Sequence, residues 1–247
     1  MFNTIYFYKK QYYFLKDATP LQINIIPSFY TRLVCIHDAH LPTIYPSSIV
    51  RIVLSNHYNG PLDMLPHHIR EVVLGTDYNH TLSTLPNHIT HLSTNNYFNH
   101  TLKDIPANIT HIELGHSYNQ ITSLPPYLIS LKCGYNYNQP TILPSTIRFV
   151  EFGQMYNVNT ILPHSIIQLT VINKYIPNNN WDLPSGITYF MVGKVQLLPS
   201  AKCIQHVLSS YNLVETNAQG ILYEHAQINK HNIFYKNICL LNMFVYP

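Results

Sequence analysis

The sequence predicts a β-rich repeat solenoid, with one short parallel strand per coil of 19–21 residues, and three observations carry that prediction. Ten prolines, Pro27, Pro46, Pro66, Pro86, Pro106, Pro125, Pro144, Pro163, Pro184 and Pro199, recur at nearly equal intervals, with only the last, from Pro184 to Pro199, clearly shorter. Apolar residues recur at fixed distances from each proline, and glycine follows most of the apolar pairs. A self-similar period of this length is the signature of stacked supersecondary units, none of which can bury its apolar face alone.

Aligned on the prolines, the unit reads Leu-Pro-x-x-Ile-x-x-Leu-x-Leu-Gly-x-x-Tyr-Asn-x-x-Leu. One coil spells it as Leu65, Pro66, Ile69, Val72, Leu74, Gly75, Tyr78, Asn79 and Leu82. Position five holds Ile49, Ile69, Ile89, Ile109, Leu128, Ile147, Ile166 and Ile187; position eight holds Ile52, Val72, Leu92, Ile112, Leu131, Val150, Leu169 and Phe190. Position ten is also apolar in most coils, and position nine between them is mostly polar, so each coil contributes one half-buried strand. Gly75, Gly115, Gly134, Gly153 and Gly193 end it. About a dozen residues, one of them proline, must return the chain to the next strand, which is too few for a crossover helix. Strands stacked at ~4.8 Å make nine or ten coils a curved rod on the order of 40 to 50 Å long.

Composition narrows the function. The 247 residues are 46% hydrophobic, enough for one continuous core, and only 10% charged, with a formal net charge of +3. No lysine or arginine cluster recurs with the repeat, so nucleic acid is not an expected partner. The absence of a signal-like N-terminus and of an apolar run of about 18 residues predicts a soluble, non-secreted intracellular protein with no membrane partner. Cys35 and Cys133 fall at position ten as reduced core thiols, and no paired spacing suggests zinc. The sequons at Asn79, Asn99 and Asn108 carry little meaning without secretion.

Tyr58-Asn59-Gly60-Pro61-Leu62, echoed by Tyr137-Asn138-Gln139-Pro140 and Phe98-Asn99 after a Leu-Pro-x-x-Ile-x-x-Leu-x-Leu-Gly stretch, resembles the FNIP repeat of amoebae and of giant viruses of amoebae. That repeat is similar to a leucine-rich repeat. A second resemblance is to the short leucine-rich repeats of bacterial effectors, which lack the aromatic-Asn pair. The match runs from about residue 26 to 199. It implies a leucine-rich-repeat-like, non-enzymatic solenoid that binds proteins, with the host cytoplasm as the place of action. In some relatives such repeats follow an F-box, for which residues 1–25 are too short. Their aromatics, Phe2, Ile5, Tyr6, Phe7, Tyr8, Tyr12, Tyr13 and Phe14 around Lys9-Lys10, read instead as a hairpin forming an N-terminal cap. Residues 26–199 form the solenoid, and residues 200–247 break the period and read as an irregular C-terminal cap, since solenoid ends expose sheet edge and core.

Polar residues locked to the repeat phase need assignment. Asn59, Asn79, Asn99, Asn119, Asn138 and Asn157 share position fifteen and read as a structural ladder, satisfying backbone groups of a buried turn. The aromatics one residue earlier, Tyr58, Tyr78, Phe98, Tyr118, Tyr137 and Tyr156, should stack as a second ladder with phenol tips near water. Histidines pair by phase: His68 with His88, His91 with His111, His80 with His100. Each pair should sit in adjacent coils within reach of the other's charge, and no third ligand makes any of them a metal site.

No catalytic constellation, cofactor cradle or metal motif appears, so the expectation is a protein without catalytic, cofactor or metal residues. Positions seven and nine flank the core residue at eight and should face outward. There Glu113, Lys132 and Glu151 alternate in sign beside Phe149, with His91 and His111 nearby. Aromatic anchors next to charges suit a protein partner on the concave sheet face. The alternatives are an assembly protein packing into a large viral particle, and a substrate-recruiting adaptor for a ubiquitin ligase acting with a separate F-box protein.

Overall fold

The computed structural model describes residues 12–15, 26–35, 41–42, 44–158, 160–172, 184–192, 195–197 and 243–245. Twelve short strands form one sheet in sequence order: β1 (Tyr12–Leu15), β2 (Arg32–Cys35), β3 (Arg51–Val53), β4 (Glu71–Val73), β5 (His91–Ser93), β6 (His111–Glu113), β7 (Ser130–Lys132), β8 (Phe149–Phe152), β9 (Gln168–Val171), β10 (Tyr189–Val192), β11 (Val195–Leu197) and β12 (Met243–Val245). From β1 to β10 every neighbouring pair is parallel and in repeat register, with position eight on position eight, as in Ile52↔Val72, Val72↔Leu92 and Leu92↔Ile112. No described residue is helical. The architecture is a leucine-rich-repeat-like solenoid.

Each coil is built from two recurrent turns. The proline carbonyl accepts the N–H of position five in every described coil, from Tyr30 on Pro27 at 3.1 Å to Ile187 on Pro184 at 3.2 Å. Proline lacks only a donor, so its acceptor closes the turn while its ring stiffens the approach. The second turn leaves the strand, with the N–H of Tyr58, Tyr78, Tyr118, Tyr137 and Tyr156 donating to the carbonyl three residues back.

In four coils the stacking itself requires glycine at position eleven, which Ser55, Asn95 and Ile172 hold in others. A Cβ on Gly75, Gly115, Gly134 or Gly153 would lie 1.7–1.9 Å from the carbonyl oxygen of the same position in the preceding coil. Only a residue without a side chain lets the backbones approach this closely.

The core is one continuous column. Positions five, eight, ten and fourteen are buried along the stack, represented by Ile109, Ile112, Leu114 and Tyr118, and Cys35 and Cys133 lie in the same column. Coil length decides how position eighteen closes the column. In the longer coils Leu62, Leu82 and Leu102 fill it, and their carbonyls accept the N–H three residues on, at 3.2, 3.0 and 3.4 Å. In the following coils, each shorter by a single position, it holds Thr122, Thr141 and Thr160, whose hydroxyls meet Tyr118, Tyr137 (2.5 Å) and Tyr156.

The ends differ from simple coils. β1 is parallel to β2, with Tyr12 opposite Arg32, and continues the solenoid sheet one coil upstream with no proline to announce it. The other residues of 1–25, expected to form a hairpin cap, lie outside the described residues, and β1 itself pairs parallel rather than as a hairpin with β2. At the other end, β10 and β11 are separated by two residues and pair antiparallel, and β12 pairs antiparallel with β11. Parallel stacking therefore stops at β10, because the stretch from Pro184 to Pro199 is too short for another coil. The rest of 200–247 lies outside the described residues.

Candidate binding surface

Position seven of successive coils places Arg51, Glu71, His91, His111, Ser130 and Phe149 in one row across β3–β8. Position nine places Val53, Val73, Ser93, Glu113, Lys132 and Glu151 in a parallel row on the same face. The alternation that buries position eight turns both rows away from the core, and all these side chains are half-buried or exposed. The open face narrows at β9, where Thr170 at position nine is 3% exposed although outward parity predicts exposure.

Charge on this face is arranged in local sets. The Arg51 guanidinium lies 3.2 Å from Glu71 Oε2. The Lys132 ammonium lies 2.8 Å from Glu113 Oε1 and 4.0 Å from Glu151 Oε1, which makes a three-member chain along row nine. The hydrogen bond to Glu113 chiefly raises the Lys132 pKa, against the opposing effect of burial. Phe149, 37% exposed, sits two residues before Glu151 on the same face.

A depression of about 380 Å³ crosses these coils, lined by Ser93, Glu113, Lys132 and Glu151 and by two residues that sequence reasoning missed, His116 and Tyr135. Their rings stack at 4.8 Å with planes 5° apart. Both occupy position twelve, immediately after the glycine that ends the strand, where the chain leaves the sheet. The signal available was variability: Asn56, Thr76, Asn96, His116, Tyr135 and Gln154 share that phase without sharing a type.

His91 and His111 stack at 4.0 Å with planes 8° apart. The other phase pairs are arranged differently. His80 and His100 lie against the rings of Tyr78 and Phe98, and His100 Nε2 is 2.8 Å from Asn79 Oδ1. His68 and His88 each bury an Nε2 that has no hydrogen-bond partner. Burial lowers the pKa of His88, His91 and His111; Arg70 lowers His88 further, and His91 lowers His111 further. Among the described residues, no group of three or more His, Cys, Asp or Glu could hold a metal ion.

The position-fifteen asparagines connect coil to coil. The side-chain oxygens of Asn59, Asn99, Asn119 and Asn138 accept the backbone N–H of Asn79, Asn119, Asn138 and Asn157 at 2.7–2.9 Å. The side chains are exposed, unlike the buried turn expected of them, because the N–H they satisfy lies at the rim of the coil. The tyrosine column differs in the opposite sense. Its rings stack 6.0–6.4 Å apart and are buried, and the phenol tips expected near water are held inside, Tyr58 by the Pro61 carbonyl and the last three by threonines. Burial accordingly pushes the Tyr156 phenol up to about 12.

The family model for the FNIP Repeat matches residues 118–155, two consecutive periods that include Tyr137-Asn138. No curated protein matches the chain at a significant level. Among solved structures, the chain is similar to the giant-virus protein CroV588, described as a novel circular LRR protein, with 21% sequence identity and a TM-score of 0.54. That match covers 68% of this chain and 34% of CroV588, so the chain spans about a third of its relative's length. Residues 118–155 match the FNIP repeat, and the described coils fold as an LRR-like solenoid. No helix among the described residues is long and apolar enough to cross a membrane.

Proposed function

We propose that this chain is a non-enzymatic protein-interaction scaffold that holds a protein partner on the open, concave face of its sheet, through Glu113, Lys132, Phe149, Glu151, His91 and His111. The observation that carries the proposal is the convergence on one depression of the Glu113–Lys132–Glu151 chain and the His116–Tyr135 stack, with half-exposed Phe149 beside it. Aromatic side chains give a partner apolar area at low entropic cost, and paired charges around them set register. Phe149→Ala combined with Lys132→Glu should abolish stoichiometric capture of a partner from natural host extract, identified by mass spectrometry, with thermal stability nearly unchanged. Capture retained by that variant but lost on changing His80 and His100 would place the site on another face.

A second reading is assembly into a larger array, and one observation favours it. Ile142 and Ile161, at the same phase of adjacent coils away from the sheet, are 89% and 90% exposed, and Ile121 lies nearby in sequence phase at 73%. Isolated apolar residues on a surface are ordinary, but phase-locked ones make a ridge. Sedimentation that shows a monomer at all accessible concentrations would remove this reading, whereas self-association abolished by Ile142→Glu with Ile161→Glu would establish it.

A further inference from the structure

Position seven of β5 and β6 brings His91 and His111 into direct register, ring on ring at 4.0 Å. Two neutral imidazoles can stack this closely, whereas two imidazolium ions repel across the same gap.

The proton-accepting atom on each ring follows from its neighbours. Thr90 Oγ1 lies 2.9 Å from His91 Nδ1 and 3.3 Å from the Arg70 carbonyl oxygen; Thr110 Oγ1 lies 2.9 Å from His111 Nδ1 and 3.2 Å from the Thr90 carbonyl oxygen. A carbonyl oxygen can only accept, so each hydroxyl donates to it and in turn accepts the Nδ1–H of its histidine. Nε2 is then the site on each ring that takes up a proton.

The groups facing the stack are unequal on its two sides. Toward β4, His91 stands in register with Glu71, whose carboxylate favours its protonation and is itself held by Arg51 of β3, which opposes it. Toward β7, His111 meets uncharged Ser130. Along the strands lie Ser93 and Glu113, the latter accepting from Ser93 Oγ at 3.4 Å and engaged by Lys132. On positions seven and nine of β3–β8 the charged residues are Arg51 and Lys132 against Glu71, Glu113 and Glu151. With both rings neutral the face therefore carries a formal −1, and with both protonated +1.

We propose that the His91–His111 stack is a proton-operated switch that reverses the sign of the open face in mildly acidic medium. The first proton goes to Nε2 of His91, where Glu71 receives the new charge. The second is opposed by the first, and its uptake opens the stack. The pair titrates in two separated steps, and the surface between Glu71 and Lys132 passes from anionic through neutral to cationic. The effect of His91 on His111 acts in the direction that separation needs, while burial lowers both rings alike in sign. The switch deepens the proposed binding role and rests on it only for what the charge reversal would control.

The test is an NMR titration of the histidine ring protons in the full chain. His91→Gln should raise the midpoint of His111 by about half a pH unit or more, and Glu71→Gln should lower that of His91. If His91→Gln does not fold, as judged by circular dichroism at pH 8, the unmodified chain reads the same coupling as the separation between the His91 and His111 midpoints. An unchanged His111 midpoint in the folded variant, or a single shared midpoint for the two rings in the unmodified chain, would overturn the proposal. So would a first protonation at His111. The titration involves no partner, so its failure and a failure of partner capture are separate results.

Discussion

The side-chain nitrogen of Asn95 donates to the carbonyl of Gly75 in the preceding coil at 2.6 Å, and it donates again to the Tyr78 carbonyl at 3.0 Å. Its oxygen meanwhile accepts the N–H groups of Tyr97 and Phe98 at 2.8 and 2.7 Å. Asn95 is 8% exposed and occupies the position that most other coils give to glycine. In its own coil it replaces the backbone turn bond to position fourteen with a side-chain bond. Asn95→Ala leaves four polar groups without that partner and should destabilise by about 2–4 kcal/mol, whereas Asn119→Ala on the exposed rim should cost about 1 kcal/mol. Urea midpoints for the two variants that coincide would show that burial does not separate them.

The tyrosine column carries its own control. Tyr78 has a buried hydroxyl with no partner and Leu82 four residues on, while Tyr137 has Thr141 at that place. Phe98, followed by Leu102, shows that the column accepts a ring without a hydroxyl. Tyr78→Phe should therefore be neutral or stabilising by up to about 1 kcal/mol, and Tyr137→Phe destabilising by about 1 kcal/mol. A double-mutant cycle of Tyr137→Phe with Thr141→Val should give a coupling energy of about 0.5–1 kcal/mol, and additivity would count against the bond.

Period, strand phase and core were legible because each depends on a residue type that few others can replace: proline for the turn, glycine for the close approach, and apolar residues at positions five, eight and ten. Parity along these short strands likewise placed Glu113, Lys132, Glu151 and Phe149 on one face. What the pattern hid lies in departures from it. Asn95 stands where glycine is expected and so looked like noise. The change from Leu to Thr at position eighteen accompanies the shortening of the coil, a covariation within the chain that would have placed the phenol groups inside rather than near water. β1 lacks the proline on which the alignment was built. His116 and Tyr135 converge only because neighbouring coils stack, which a consensus of position types does not express.

Close packing at position eleven predicts a large effect from one methyl group. Gly134→Ala would put a Cβ 1.8 Å from the Gly115 carbonyl oxygen, a contact with backbone that cannot rotate away. The two coils must separate locally, at a cost of about 3 kcal/mol or more. Gly186→Ala meets its nearest atom, the His164 carbonyl oxygen, at 3.4 Å and should change the thermal midpoint little. Comparable losses for both variants would contradict the stacking argument.

Asp104 has a φ of 73°, in the turn between Leu102 and Ile105 that only the longer coils close. Side chains rarely adopt this left-handed conformation, and glycine adopts it freely. Asp104→Gly should stabilise by about 0.5–1 kcal/mol, and Asp104→Val should destabilise by at least as much. A loss of stability in the glycine variant would mean that the aspartate side chain contributes more than the backbone strain costs.

The histidines set the pH dependence of the whole fold. His88, His91 and His111 each have a folded-state pKa below the ordinary value of 6.5, with burial the largest cause in every case. The unfolded chain therefore binds protons that the folded chain refuses, so stability should be fully present above about pH 6.5 and decline as pH falls through the folded-state midpoints. Carboxylates titrate lower, near pH 4, which leaves the interval from about pH 7.5 to 5.5 to the histidines. Thermal midpoints should fall across that interval, and the fall should be shallower for His91→Gln combined with His111→Gln, which removes two of the three groups. A midpoint that holds constant or rises as the medium is acidified through that interval would show that these rings ionise as readily in the fold as outside it.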